Sequence, residues 1–218
     1  MIVDERITAY INSLDTELPS ELLNLEKEAL EKHVPIIKKE SQGILRFLLQ
    51  LQQPKRILEV GTAIGFSALF MSEYTGNDCA ITTIEKVAMR LVEAEKNLAD
   101  PGFQGKDKIT LRKGEALEVL KDLVAEGQSY DFIFLDAAKA QYMSFLPELM
   151  KLLADKGMLV TDNVLQDGTV INSRYSITRR DRTIHSRMRE YLYVITHTEE
   201  FSTVILPVGD GIALSSKI

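Results

Sequence analysis

The stretch RILEVGTAIGFSALF, Arg56 to Phe70, decides the fold. RILEV is a short apolar, β-rich run; it enters a turn with Gly61 and Gly65 on either side, and Phe66 to Tyr74 then reads as a helix. Glycine at such a turn lets the main chain approach a ligand closely and adopt torsions closed to other residues. Downstream the alternation continues: CAITTIE (Cys79 to Glu85), a helix to about Leu98, KITL (Lys108 to Leu111), a helix from about Glu115, DFIFLD (Asp131 to Asp136), a helix to about Leu153, and GMLVTDN (Gly157 to Asn163). Strands alternating with helices of this length predict right-handed crossovers and a parallel sheet covered on both faces. The end differs: Thr203 to Leu206 and Ile212 to Ser215, separated by a turn containing Pro207, Gly209, Asp210 and Gly211, predict an antiparallel hairpin. Upstream, Leu22, Leu25, Ala29 and Leu30, then Ile44, Leu45, Leu48, Leu49 and Leu51, mark two helices before the first strand. The expectation is an α/β protein with a mostly parallel seven-stranded sheet, in one domain over 1–218, with N-terminal helices over about 3–52 and the α/β core over about 54–218.

Of the 218 residues 45% are hydrophobic and 27% charged, enough for a sizeable core. A net charge of −6 argues against a wholly basic nucleic-acid binder or a membrane-surface protein, but not against a local basic patch. The start MIVDERITAY puts Asp4 and Glu5 where a signal peptide needs a basic segment. No apolar run is long enough to cross a bilayer, and Cys79 has no cysteine to pair with. A cytoplasmic protein with no membrane partner is expected. Structural zinc is disfavoured, because His33, His185 and His197 are scattered.

Ligands of an open parallel sheet collect beyond the carboxyl ends of its strands. Glu85 ends the second strand roughly twenty residues past Gly65, where a carboxylate can accept from both hydroxyls of a ribose; the alternative is a cap on the helix that follows, and the glycine turn together with this carboxylate favours the nucleoside reading. The turn G-T-A-I-G lacks the G-x-G-x-x-G register that sets a helix N-terminus on a pyrophosphate, so NAD is disfavoured. The form E-x-G-x-x-x-G over Glu59, Gly61 and Gly65, followed by GEALEVL from Gly114, resembles the class I methyltransferases. That resemblance implies a Rossmann-like fold and S-adenosylmethionine as cofactor. Glu59, Gly61, Thr62 and Gly65 would bind it at the turn, and Gly114, Glu115 and Ala116 would line the adenine.

Asp136 ends the fourth strand and Asp162 and Asn163 end the fifth, so neighbouring strand ends could bring three oxygen ligands to one rim. Hard cations such as Mg²⁺ take oxygen ligands and keep open positions; taken singly, each residue could instead be a cap. DAAKAQY followed by DNVLQDG resembles the cation-dependent O-methyltransferases related to catechol and caffeoyl-coenzyme A O-methyltransferases, from about Val34 to the terminal hairpin. The resemblance implies that Asp136, Asp162 and Asn163 bind the cation and that Lys139 is the general base. Chemically, Lys139 lies within plausible reach of a hydroxyl proton on a chelated substrate.

HVPII, QPKRILEVGTAIGFSA, ITTIE, DNVL and ILPVGDGIALS are similar to the bacterial branch that methylates 5-hydroxyuridine at the tRNA wobble position. In that branch the cofactor contacts map to Ile37, Ser67, Glu85, Glu115 and Asp136. The chain departs from these families at Gln166, where an aromatic residue is usual, at Ala140 (glycine) and at Glu115 (aspartate). From Ile171 to Tyr193 there are six arginines against Asp181 and Glu190, a local +4 that leaves −10 on the rest of the chain. Ile184, Met188, Tyr191, Leu192 and Ile195 form a helical stripe that places Arg187 and Arg189 on a solvated face. Arg174, Arg179, Arg180 and Arg182 are the better candidates for a phosphate backbone. The preferred acceptor is therefore tRNA. A small molecule with neighbouring oxygens, such as a catechol or caffeoyl-type compound, is the alternative, and a non-catalytic nucleotide-cofactor binder is the reading from another class. Relatives often dimerise, so a homodimer is expected.

Overall fold

A computed structural model describes residues 3–173 and 175–218; Arg174, one of the candidate phosphate contacts, lies outside them. Three helices come first: α1 (Glu5–Ser13), α2 (Ser20–Glu31) and α3 (Lys39–Gln52). The alternating unit follows as β1 (Arg56–Val60), α4 (Phe66–Glu73), β2 (Ala80–Glu85), α5 (Ala88–Leu98), β3 (Ile109–Lys113), α6 (Ala116–Ala125), β4 (Tyr130–Leu135), α7 (Tyr142–Leu152) and β5 (Leu153–Thr161). After a loop come α8 (Arg182–His197), β6 (Phe201–Leu206) and β7 (Ile212–Lys217). The seven strands lie in the order β3-β2-β1-β4-β5-β7-β6. Pairing is parallel from β3 to β5 and antiparallel along β5-β7-β6.

Period-two alternation sorts the strand residues between two cores. Leu58 and Val60 of β1 and Ile133 and Leu135 of β4 face α6, α7 and α8, whereas Ile57, Phe132 and Phe134 face α2, α3 and α4. Fully burying one such side chain contributes about 1.5–3 kcal/mol, so both faces of the sheet are strongly held. Leu22, Leu25 and Ala29 of α2 are buried as the spacing predicts, but Leu30 and Leu51 are 60% and 69% exposed. These two simply fall outside the stripe that α2 and α3 turn to the sheet. The fifth strand begins earlier than GMLVTDN suggests, at Leu153, and stops at Thr161. Asp136 and Asp162 sit just past their strands, each extending the ladder by one main-chain bond, to the carbonyls of Val60 and Leu135.

Strand order reverses between β1 and β4, whose neighbours on the far sides are β2 and β5. The ends of β1, β2 and β4 therefore open a crevice at the place where this topology puts ligands.

Candidate active site

A cavity of about 510 Å³ fills that crevice. Of the residues proposed for a cofactor, Ile37, Gly61, Thr62, Ser67, Glu85, Gly114, Glu115, Ala116 and Asp136 line it. Glu59 and Gly65 do not: both are buried behind the wall. Pro35 and Ile36 add a roof from the segment before α3, and Ala138 and Gln141 close the side after β4.

Gly61 is where the turn is tightest. Its φ is +108°, and a Cβ there would lie 2.0 Å from the carbonyl oxygen of Asp136, so only glycine lets β1 approach the end of β4 this closely. Behind the turn, the hydroxyls of Ser67 and Thr83 both donate to Glu59, and the Thr62 hydroxyl meets that of Thr83. Glu85 accepts from the main-chain N–H of Ala63 (2.9 Å), Lys86 (2.8 Å) and Val87 (2.9 Å). It thus braces the turn and the start of α5 while facing the cavity. The capping role and the ligand-facing position coexist on one carboxylate.

The second part of the site lies beside the cavity. Asn163 donates from its side-chain amide to Asp136 at 3.1 Å, and its main-chain N–H donates to Asp162 at 2.8 Å. Asn163 has a φ of +63°, in the left-handed region that asparagine tolerates better than most residues. Gln166 and Asp167 follow with φ of +50° and +53° before Gly168. Such consecutive left-handed residues are held by surroundings rather than by preference. The surroundings are the hairpin turn: the carbonyls of Asp210 and Gly211 accept from the N–H groups of Val164, Leu165 and Gln166. Lys38 then bridges Asp210 (2.6 Å) and Asp167 (3.5 Å), tying the roof segment to the same loop.

Burial is the first cause that raises the carboxyls of both Asp136 and Asp162, and Asp162 is raised next by the charge of Asp136. Lys139, in a one-turn helix over Lys139–Gln141, is the positive charge that opposes the shift at both. Among the described residues no three of His, Cys, Asp and Glu gather into a metal cluster. What the strand ends offer is two mutually repelling carboxylates, Asp162 buried and Asp136 half-buried at the cavity wall, and an amide. That donor set fits a hard divalent cation once the amide turns its oxygen inward, because added positive charge relieves the repulsion that burial makes costly.

Burial likewise pushes the Glu59 carboxyl up to about 7, against the two hydroxyl donors that pull it down. A carboxyl raised in the folded state keeps its proton at a pH where the unfolded chain has released it, so stability falls as pH rises from about 4.5 to 7. Thermal melts without cation should therefore show a melting temperature lower by ~5 °C or more at pH 8 than at pH 5. Glu59→Gln should shrink this difference. A pH response unchanged by the substitution would mean that the Glu59 carboxyl is ionised at ordinary acidity.

Arg179 and Arg180 are exposed in the loop before α8, and Arg182 is half-buried, with its Nε donating to the carbonyl of Ile177 at 3.2 Å. Met188, Tyr191 and Ile195 are buried as the stripe predicts. Arg187 and Arg189 are exposed but not idle: they donate to the carbonyls of Ala140 (2.7 Å) and Val170 (3.5 Å). The helical stripe alone, which assigns them to an ordinary solvated face, carries no sign of these bonds. Lys38 and Asp210 escape sequence reasoning as well, since the pair is separated by 172 positions and has no local signature.

The sequence model of the O-methyltransferase family matches residues 12–218. Catechol O-methyltransferase of Niastella koreensis is 29% identical over 218 residues, covering 97% of this chain and 96% of its own length. Caffeoyl-CoA O-methyltransferase 1 of Eucalyptus globulus is 31% identical over 180 residues, 80% of this chain and 71% of its own length. A candidate caffeoyl-CoA O-methyltransferase from Staphylococcus aureus superposes with a TM-score of 0.88 at 30% identity, covering 99% of this chain and all of the other. The same fold recurs, at 21% identity and a TM-score of 0.84, in the O-methyltransferase of Bacillus cereus solved with S-adenosylhomocysteine, over 98% of this chain and 97% of that one. With the crevice at the strand-order reversal and a family match over nearly its whole length, the chain belongs to the class I O-methyltransferases of the caffeoyl-CoA and catechol type.

Proposed function

We propose that the protein uses S-adenosylmethionine and a divalent cation, Mg²⁺ in the first instance, to methylate a hydroxyl that sits next to a second oxygen. The observation that carries this reading is the contact between Asp136, which lines the cavity, and Asn163, whose neighbour Asp162 is buried beside them. S-adenosylmethionine supplies a methyl group on a positively charged sulfur. A cation held by Asp136, Asp162 and Asn163 supplies positive charge that favours loss of the acceptor's proton. Lys139 would accept that proton, leaving the acceptor oxygen as the nucleophile for the methyl group that bound S-adenosylmethionine would supply. Glu85 receives the ribose hydroxyls, and Gly114, Glu115 and Ala116 flank the adenine.

For the acceptor we favour 5-hydroxyuridine at the tRNA wobble position, whose hydroxyl adjoins a carbonyl oxygen. The +4 stretch from Ile171 to Tyr193 supports a phosphate-bearing substrate, since Arg179 and Arg180 are exposed and can meet a phosphate backbone. A catechol or caffeoyl-type acceptor is the second reading, favoured by the names of the relatives. Incubation with labelled S-adenosylmethionine and Mg²⁺, with tRNA carrying 5-hydroxyuridine or with catechols, separates the two. Label in catechol and never in tRNA would remove the preferred acceptor.

Replacing Arg179 and Arg180 together with alanine should weaken tRNA binding uniformly. It should also reduce the slope of log K against log salt by about 2, one for each phosphate that is no longer neutralised. An unchanged slope would exclude both from the backbone. A homodimer belongs to the same proposal: Ile7, Tyr10 and Ile11 of α1 and Leu14 just past its end recur at helical spacing, all more than half exposed, and form an apolar stripe that a second copy would cover. No helix among the described residues is long and apolar enough to cross a membrane.

A further inference from the structure

We infer that Arg187 is a positioning residue that fixes the turn carrying Lys139; the inference rests on the reading of Lys139 as the base. The turn Lys139–Gln141 is a single helical turn joining the end of β4 to α7. Ala138, just before it, and Gln141, its last residue, line the cavity. A turn this short has little internal hydrogen bonding with which to hold a lysine against the rim. Among the described residues, the one side-chain hydrogen bond that reaches the turn from another element is from Arg187 Nη1 to the carbonyl of Ala140, at 2.7 Å. Ala140 is the middle residue of the turn and the immediate neighbour of Lys139.

The bond belongs to a pattern along α8. His185 Nε2 meets the carbonyl of Asn172 at 3.1 Å, and Arg189 reaches that of Val170 at 3.5 Å. The helix therefore holds main-chain carbonyls on two sides of the site, in the turn after β4 and in the loop after β5. The packing of Met188, Tyr191 and Ile195 into the core makes α8 a fixed base for these arms. The Tyr191 hydroxyl meets that of Thr161, the last residue of β5, at 2.6 Å. A guanidinium suits the task because it stays charged and presents a planar fork on a long stem, so from a helix that already packs beside the turn it can reach the turn's main chain.

Two measurements on Arg187→Ala and Arg187→Lys decide the matter. In deuterium exchange without cofactor or cation, the peptide spanning 137–145 should exchange about tenfold faster in Arg187→Ala, while β4 is unchanged and Arg187→Lys is intermediate. An unchanged rate overturns the inference whatever the protein's activity. In turnover with Mg²⁺ and labelled S-adenosylmethionine, kcat should fall about tenfold on tRNA carrying 5-hydroxyuridine and on catechol alike, to the extent that each is a substrate, with the KM values within about twofold and partial recovery in Arg187→Lys. A loss confined to the KM for tRNA would instead make Arg187 a phosphate contact and overturn its positioning role. If the wild-type protein methylated neither acceptor, the acceptor reading would fall, and the exchange measurement would still decide whether Arg187 holds the turn.

Discussion

Asp162→Ala should lower Mg²⁺-dependent turnover by about three orders of magnitude, the scale on which one preorganised charge-stabilising group acts. Affinity for S-adenosylmethionine should stay within about twofold, because Asp162 lies outside the cavity that Asp136 lines. The fold should survive the change. In the cation-free protein the Asp162 carboxylate is disfavoured by burial and by the charge of Asp136, so its removal relieves repulsion as it opens a small void. Asp136→Ala is the informative contrast, since it should impair both cation and cofactor binding. Calorimetric titration of each variant with Mg²⁺ and with S-adenosylmethionine, alongside turnover, separates the two roles. Full turnover in Asp162→Ala would take Asp162 out of the cation site.

Gly61→Ala should be the most damaging single methyl group that can be added to the chain's ligand crevice. The new Cβ would lie 2.0 Å from the carbonyl oxygen of Asp136 and 2.8 Å from its carbonyl carbon, and both atoms are main chain at the end of a central strand. Relief requires β1 and β4 to separate or the turn to abandon its φ of +108°, at a cost on the order of 3 kcal/mol. Because the carbonyl that is struck belongs to a proposed cation ligand, cofactor and cation affinities should fall together, each by about a hundredfold or more. Denaturant unfolding and the same titrations read both effects. A variant with wild-type stability and affinities would show that the strands can part at no cost. A control at Gly168, where a Cβ meets nothing within 4 Å, should be far milder despite its φ of +86°.

Much of this arrangement is legible in the chain. The strand–helix alternation points to the parallel sheet because each segment is long enough to show its period, and Gly61, Glu85, Gly114 and Asp136 fall at strand ends where an open sheet gathers ligands. Local signals also explain the errors. The start of β5 at Leu153 reads as a helix end because the apolar pair Leu152 and Leu153 runs on from α7. Glu59 looks like a ligand contact by position, yet alternation along β1 turns it to the α4 side, where two hydroxyls enclose it. What could not be read was anything made by distant segments meeting: Lys38 with Asp210, Pro35 and Ile36 over the cavity, and Arg187 on Ala140. No period or motif encodes such meetings, because each partner alone is an ordinary exposed charge or a loop residue.

The dependence of the 164–166 main chain on the hairpin turn has a consequence for assembly. Val164, Leu165 and Gln166 find their carbonyl partners at Asp210 and Gly211, in a turn synthesised well after them. A nascent chain that has emerged only through α8 carries every side chain of the acidic pair and its amide, but lacks the strut that gives their loop its shape. Non-local closure of this kind comes late in folding, so the protein should acquire the parallel part of its sheet first and the geometry of the proposed cation site only when β7 docks beside β5.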